Sequence, residues 1–195
     1  HDLSKPERLA SCGRPPAGMT MELLDEDGKV VEQGKVGEVC VRGPSVMNGY
    51  LNKPKETAEA LKGDWLHTGD LAYRDEEGFY YLVDRAKDMI ISGGFNVYPK
   101  EVEDVLTAHP DVALAAVIGI PNEKWGEAVL AVVVLKDGAT VEKEELMALV
   151  KDKKGAVHAP KTVEFVDALP VTGLGKTDKK TIRAKYWGDQ QRMVN

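Results

Sequence analysis

The chain has 195 residues, 43% apolar and 30% charged, with 26 basic against 32 acidic side chains and a formal net charge of −6. That balance can fill one ordinary hydrophobic core or two small ones, and it excludes a disordered or membrane-embedded polypeptide. A duplex nucleic-acid binder is excluded as well, because the basic residues are scattered until a modest cluster from Lys176 to Lys185 and build no broad positive face.

The chain opens at His1, and Gly13-Arg-Pro-Pro16 arrives with no preceding αβ unit, so the sequence is expected to be part of a longer one. Cys12 and Cys40 share no metal-ligand spacing. They are expected to be reduced thiols, small and buried, in a cytoplasmic protein, with no metal site. From Met19 to Tyr50 short apolar stretches separated by glycine predict β-hairpins: Met21 to Leu24, a turn at Asp25-Glu-Asp-Gly28, then Gly37 to Gly43 with alternating apolar positions. Pro54 to Leu61 predicts a short helix with proline in its first turn, stopped by Gly63. A further hairpin turns at Asp75-Glu-Glu-Gly78 and returns along Phe79 to Val83.

At Asp84 the character changes, since Arg85-Ala-Lys-Asp88 is polar and leads into Met-Ile-Ile and a Ser92-Gly-Gly94 turn expected between a strand and a helix. A domain boundary is placed here. Pro99 opens a helix whose Val102, Val105 and Leu106 share a face. Val112 to Ile120 and Ala128 to Leu135 are continuous apolar runs of the kind found in buried strands. The second is far shorter than the ~20 residues that cross a bilayer. Val141 to Lys151 predicts an amphipathic helix, Thr162 to Val166 a strand, and Lys179 to Trp187 a helix.

Three segments can carry chemistry. Trp65-Leu-His-Thr-Gly-Asp70 is expected to hold the Asp70 carboxylate exposed after a turn at the end of a strand. There it either caps the turn or accepts two hydrogen bonds from vicinal ribose hydroxyls. Arg85 either pairs with a neighbouring aspartate or reaches the same nucleotide through its fork of donors. In Pro170-Val-Thr-Gly-Leu-Gly-Lys176, Gly173 and Gly175 can adopt positive φ and bring the Lys176 ammonium to developing negative charge, or Lys176 is a solvated bystander. The glycines do not stand in the frame of a P-loop.

Taken in order, Gly13-Arg-Pro, Gly37-Glu-Val, Gly49-Tyr, Thr68-Gly-Asp70, Asp84-Arg-Ala-Lys-Asp88, Ser92-Gly-Gly-Phe95 and Gly175-Lys176 resemble the adenylate-forming superfamily of acyl- and aryl-CoA synthetases, luciferases and peptide-synthetase adenylation domains. The resemblance covers essentially the whole chain. It implies an α+β fold: residues 1–84 as the β-rich end of a large AMP-binding domain, 85–89 as a hinge, and 90–195 as a small α/β C-terminal lid domain.

The activity implied is formation of an acyl-adenylate from a carboxylic acid and Mg2+-ATP, then transfer to CoA. Asp70 and Arg85 match the family's AMP-contacting residues, Lys87 its hinge residue, and Lys176 the lysine that bridges the reacting carboxylate and the α-phosphate. Ser92, Gly93, Gly94, Trp125 and Lys161 match positions that face CoA. Two departures stand out: Val157-His158 replace the usual aromatic and lysine before Pro160-Lys161, and Phe95 replaces a polar residue after the glycines.

The family's phosphate loop, the glutamate that helps place Mg2+ and the acyl pocket have no counterpart here, so the chain alone is expected to be inactive. Alternatives are an adenylation domain that loads a carrier protein, or a non-catalytic binding module. A small-molecule carboxylic acid, ATP and CoA are the expected partners, without nucleic acid or a transmembrane segment.

Overall fold

In the computed structural model, which describes residues 5–188, the alternating residues of Thr20–Leu24 (β1) and Gly37–Arg42 (β2) pair antiparallel and turn Leu23 and Val39 inward. The helix Pro54–Ala60 (α1) ends one residue earlier than its sequence suggests. Leu61–Lys62 (β3) instead forms a tight hairpin with Trp65–Arg74 (β4) across Gly63 and Asp64, both at positive φ. β4 is central, with β2 along one edge; β3 and then Tyr80–Arg85 (β5) share the other. Tyr80 closes this small core, 1% exposed, with its hydroxyl donating to the Met21 carbonyl at 2.6 Å.

A second sheet is built from Ile90–Ser92 (β6), Phe95–Val97 (β7), Val112–Asn122 (β8), Gly126–Leu135 (β9) and Thr162–Phe165 (β10). β8 and β9 pair along their whole length, and β10 runs parallel to β9. The apolar runs of β8 and β9 are continuous because both faces are covered. Val117, Val129, Ala131 and Val133 meet the helices Pro99–Thr107 (α2) and Lys143–Lys154 (α3) through Val102, Leu106, Leu146 and Val150. Ala116, Ile118, Leu130 and Val132 point the other way, toward Ile182 of Lys179–Trp187 (α4).

Gly93 and Gly94 are the two-residue turn between β6 and β7, at φ +60 and +83, so the turn joins two strands and not a strand and a helix. Two left-handed residues in succession are what a tight hairpin of the right twist needs. The chain falls into two compact units, His1–Ala86 and Lys87–Asn195, in a mixed α+β fold dominated by sheets. Among the described residues no helix is long and apolar enough to cross a membrane.

Candidate functional site

Asp70 does not follow a turn at a strand end; it sits in the middle of β4, within a bulge. Glu38 pairs with Leu71 and Cys40 with His67, so Thr68, Gly69 and Asp70 together oppose Val39. Gly69 lies at φ +73, a conformation that glycine adopts without strain. Side chains replace the interrupted ladder: the Gly69 N–H donates to Glu38 Oε1 at 2.8 Å, Thr68 Oγ1 to the Val39 carbonyl at 2.8 Å, and the Asp70 N–H to Thr68 Oγ1 at 3.1 Å. On the other edge of β4 Asp70 faces Arg85 across the β4–β5 ladder, and Arg85 Nε donates to Asp70 Oδ1 at 2.7 Å. Both side chains remain partly open to solvent, at 35% and 52%.

Glu38 and His67, neither singled out from the sequence, hold the bulge from β2 and β4. Glu38 Oε2 is 2.7 Å from His67 Nδ1, which is 3.4 Å from the sulfur of fully buried Cys40. Burial, and secondarily the Glu38 charge, push the Cys40 thiol up to about 12. These three are the only group of metal-ligating side chains brought together among the described residues. A thiol and an imidazole suit a soft or borderline ion rather than Mg2+. Both Glu38 oxygens are already in hydrogen-bonding contact, so the trio is a hydrogen-bonded brace. Sequence spacing could not reveal it, because strand register brings residues 38 and 67 together.

In the second unit, three stretches distant in sequence meet around Trp125. Asn122 Oδ1 accepts from the Lys124 and Trp125 N–H groups at 3.0 and 3.1 Å, and Gly126 at φ +74 completes the turn that sets Trp125 beside β6. The Gly93 N–H donates to the Trp125 carbonyl at 2.8 Å, and a Cβ on Gly93 would stand 2.8 Å from the indole. Ser92 is buried at the end of β6, and Gly94 has open space around it.

Lys161 Nζ donates to the Ala156 carbonyl at 2.7 Å and lies 5.8 Å from the Trp125 ring, with Lys124 Nζ at 4.8 Å from that ring. Partial burial, then the nearby Lys151 charge, draw the Lys161 ammonium below its ordinary pKa. Phe95 is exposed, and the His158 ring lies 3.8 Å from Glu101.

Lys176 occupies a separate, exposed loop that Val171 and Thr177 close by pairing. The Thr172 N–H donates to the Lys176 carbonyl at 2.7 Å, and the Gly175 N–H to the Thr172 carbonyl at 2.8 Å. Gly175 takes φ +76, whereas Gly173 needs no positive φ and has no neighbour against a Cβ, so only one of the two glycines is demanded by the backbone. Asp178 ends the loop by capping α4, its carboxylate accepting from the Thr181 N–H at 3.1 Å and from the Thr181 hydroxyl at 2.7 Å. Those bonds hold the Asp178 carboxyl below its ordinary pKa. Lys87 lies in the single turn Ala86–Asp88 that follows β5.

The AMP-binding enzyme family matches residues 1–51, and the AMP-binding enzyme C-terminal domain matches residues 101–176. The chain is 56% identical over 195 residues to the medium/long-chain-fatty-acid–CoA ligase FadD8 of Mycobacterium tuberculosis, covering 96% of this chain and 34% of the relative. It is 44% identical over 180 residues to a feruloyl-CoA synthase of Amycolatopsis sp, covering 92% and 37%. Among solved structures it superposes on the amide bond synthetase McbA from Marinactinospora thermotolerans with a TM-score of 0.85 and 47% identity, covering 95% of this chain and 38% of that one. The chain thus spans about a third of the length of the curated relatives it matches.

Proposed function

We propose that this chain, which belongs to the AMP-binding enzyme family, supplies the ribose clamp, the adenylating lysine and the thiol-facing loop of an ATP-dependent acyl-CoA synthetase. A carboxylate oxygen attacks the α-phosphorus and pyrophosphate leaves. The CoA thiol then attacks the acyl carbon of the adenylate, and AMP leaves. The observation that carries this reading is the meeting of Gly93, Trp125 and Lys161, from three separate stretches of sequence, with Ser92 and Gly94 flanking Gly93 in the chain. Two ammonium groups beside an indole and a side-chain-free turn suit a phosphate-bearing ligand that ends in a slender arm.

Asp70 and Arg85 take the nucleotide, the carboxylate accepting from the two ribose hydroxyls and the guanidinium holding it in place. Lys176 meets the reacting carboxylate and the α-phosphate. An ammonium ~4 Å from an anionic oxygen at an effective dielectric of ~20 gains roughly 4 kcal/mol, or up to about three orders of magnitude in rate if realised in the transition state. Exposure of Lys176 leaves it free to approach and withdraw.

The hinge is assigned to Lys87 because of what flanks it. Arg85 belongs to the β4–β5 ladder, while Asp88 is held by Arg183 of α4 at 2.5 Å with both side chains largely buried. Rotation is thereby concentrated on Ala86 and Lys87. The only three-donor group among the described residues does not fit Mg2+, so we route no step through that ion. The substrate acid is placed in the fatty acyl or aryl class and the protein in the cytoplasm. Residues 1–84 are assigned to the large domain, 85–89 to the hinge and 90–195 to the small domain.

The test uses the full-length protein with ATP, a panel of carboxylic acids, and CoA, holo carrier protein or an amine as acceptor. Lys176→Ala is expected to depress adenylate formation by about a hundredfold or more while thiolysis of a supplied acyl-adenylate stays near the wild-type rate. Equal loss in both half-reactions refutes the role of Lys176. Pyrophosphate exchange by the 195-residue chain alone refutes its expected inactivity.

A further inference from the structure

We propose that Glu38 is a positioning residue for nucleotide binding, acting through Gly69 on Asp70; this rests on the reading of Asp70 as the ribose-binding group. The Gly69 N–H, part-buried within the bulge, takes Glu38 Oε1 as its acceptor at 2.8 Å. The second carboxylate oxygen is held by His67 at 2.7 Å, which fixes the plane of the carboxylate. Glu38 is three-quarters buried and His67 four-fifths, so the brace is shielded from competing water without being sealed in the core.

The reason a residue on β2 can govern Asp70 is the backbone of the bulge. Gly69 directly precedes Asp70, so its left-handed conformation sets the direction in which the Asp70 side chain leaves β4. Three residues of β4 oppose Val39 only while Gly69 stays left-handed and its N–H stays paired. If the acceptor is removed, the part-buried N–H is orphaned, and the strand can satisfy it by relaxing toward regular pairing. That relaxation changes the backbone immediately before Asp70 and with it the aim of the carboxylate that Arg85 holds. The other ties of the bulge, Thr68 Oγ1 to the Val39 carbonyl and the Asp70 N–H to Thr68 Oγ1, do not reach the Gly69 N–H.

Two substitutions separate reach from charge. Glu38→Gln keeps the length of the side chain and an amide oxygen able to accept from Gly69; Glu38→Asp keeps the charge but falls one methylene short. In the full-length protein, with AMP as the probe, Glu38→Asp is expected to weaken binding about tenfold, the usual effect of one lost hydrogen bond, and Glu38→Gln to stay within about threefold. The KM for the carboxylic acid stays unchanged in both. In an Asp70→Asn background Glu38→Asp adds no further loss, because the two act in series.

The opposite order of the two variants, or additive losses in the double variant, overturns the positioning role while leaving Asp70's part intact. Unchanged AMP binding in Asp70→Asn overturns the ribose reading and this proposal with it. Hydrogen exchange of the Gly69 amide is a second readout: protection lost in Glu38→Asp and kept in Glu38→Gln supports the brace, and equal protection in both overturns it.

Discussion

Arg85 stands directly opposite Asp70 on adjacent antiparallel strands, and its Nε donates to the Asp70 carboxylate at 2.7 Å. With 52% and 35% of the two side chains exposed, the pair is a surface ion pair in energetic terms, worth at most about 1 kcal/mol to the fold. Its value lies in orientation. Arg85→Gln is therefore expected to leave the melting temperature within a few degrees of wild type and to weaken AMP binding about tenfold in the full-length protein, measured by calorimetry. A large loss of stability with intact AMP binding would make the pair structural.

What could be read from the chain follows from how local the governing physics is. The apolar runs of β8 and β9 and the α2 face of Val102 and Leu106 declare themselves within a few residues, because periodicity is local; the turn at Gly93-Gly94 does too, but that a strand and not a helix follows it depends on β6–β7 pairing. Leu61 continues the helical pattern in sequence but belongs to a strand, because its place depends on pairing with Leu66 across a two-residue turn. Asp70 was expected at a strand end for a related reason: Thr-Gly is turn chemistry, and only the register between β2 and β4 makes it a bulge. Glu38 and His67 each sit inside a motif, yet their contact spans 29 positions and no spacing rule links them. The residues facing the indole of Trp125 were named by resemblance, while their meeting place was not legible until strand pairing was known.

The two glycines of the β6–β7 turn should respond differently to the same substitution. A Cβ on Gly93 would stand 2.8 Å from Trp125 Cε3 at φ +60, so Gly93→Ala adds a clash with a packed ring to backbone strain. Gly94 at φ +83 has nothing within 4 Å, leaving strain alone, about 1 kcal/mol. Gly93→Ala is expected to lower stability by roughly 2–4 kcal/mol and to slow thiolysis of a supplied acyl-adenylate more than adenylate formation. Denaturant titration of the chain and the two half-reactions of the full-length protein measure this. Equal destabilisation by both variants would contradict the placement of Trp125 against the turn.

Cys40 provides the pH dependence. Its thiol is raised from 9.0 to about 12, first by burial and then by the Glu38 charge, so the folded chain keeps a proton that the unfolded chain has released. Where the folded state binds more protons, stability falls as pH rises. The contribution of Cys40 is thus fully present below about pH 9 and is lost progressively toward about 12. Tyr186, also raised to about 12 by burial and the Glu164 carboxylate, adds to the loss above its ordinary value of 10.0.

Denaturant midpoints between pH 8 and 11 should therefore decline in the wild type and decline less steeply in Cys40→Ala, whose remaining slope comes from Tyr186 and from Tyr80 and Tyr98, which burial also raises. At pH 8 the same protonation state predicts that iodoacetamide modifies exposed Cys12 and spares Cys40 until denaturant is added. Intact-mass spectra would then show one adduct in the native protein and two in the unfolded one. Two adducts formed rapidly in the native state would mean that the sulfur is neither buried nor held protonated beside His67, and the brace of the bulge would have to be redrawn.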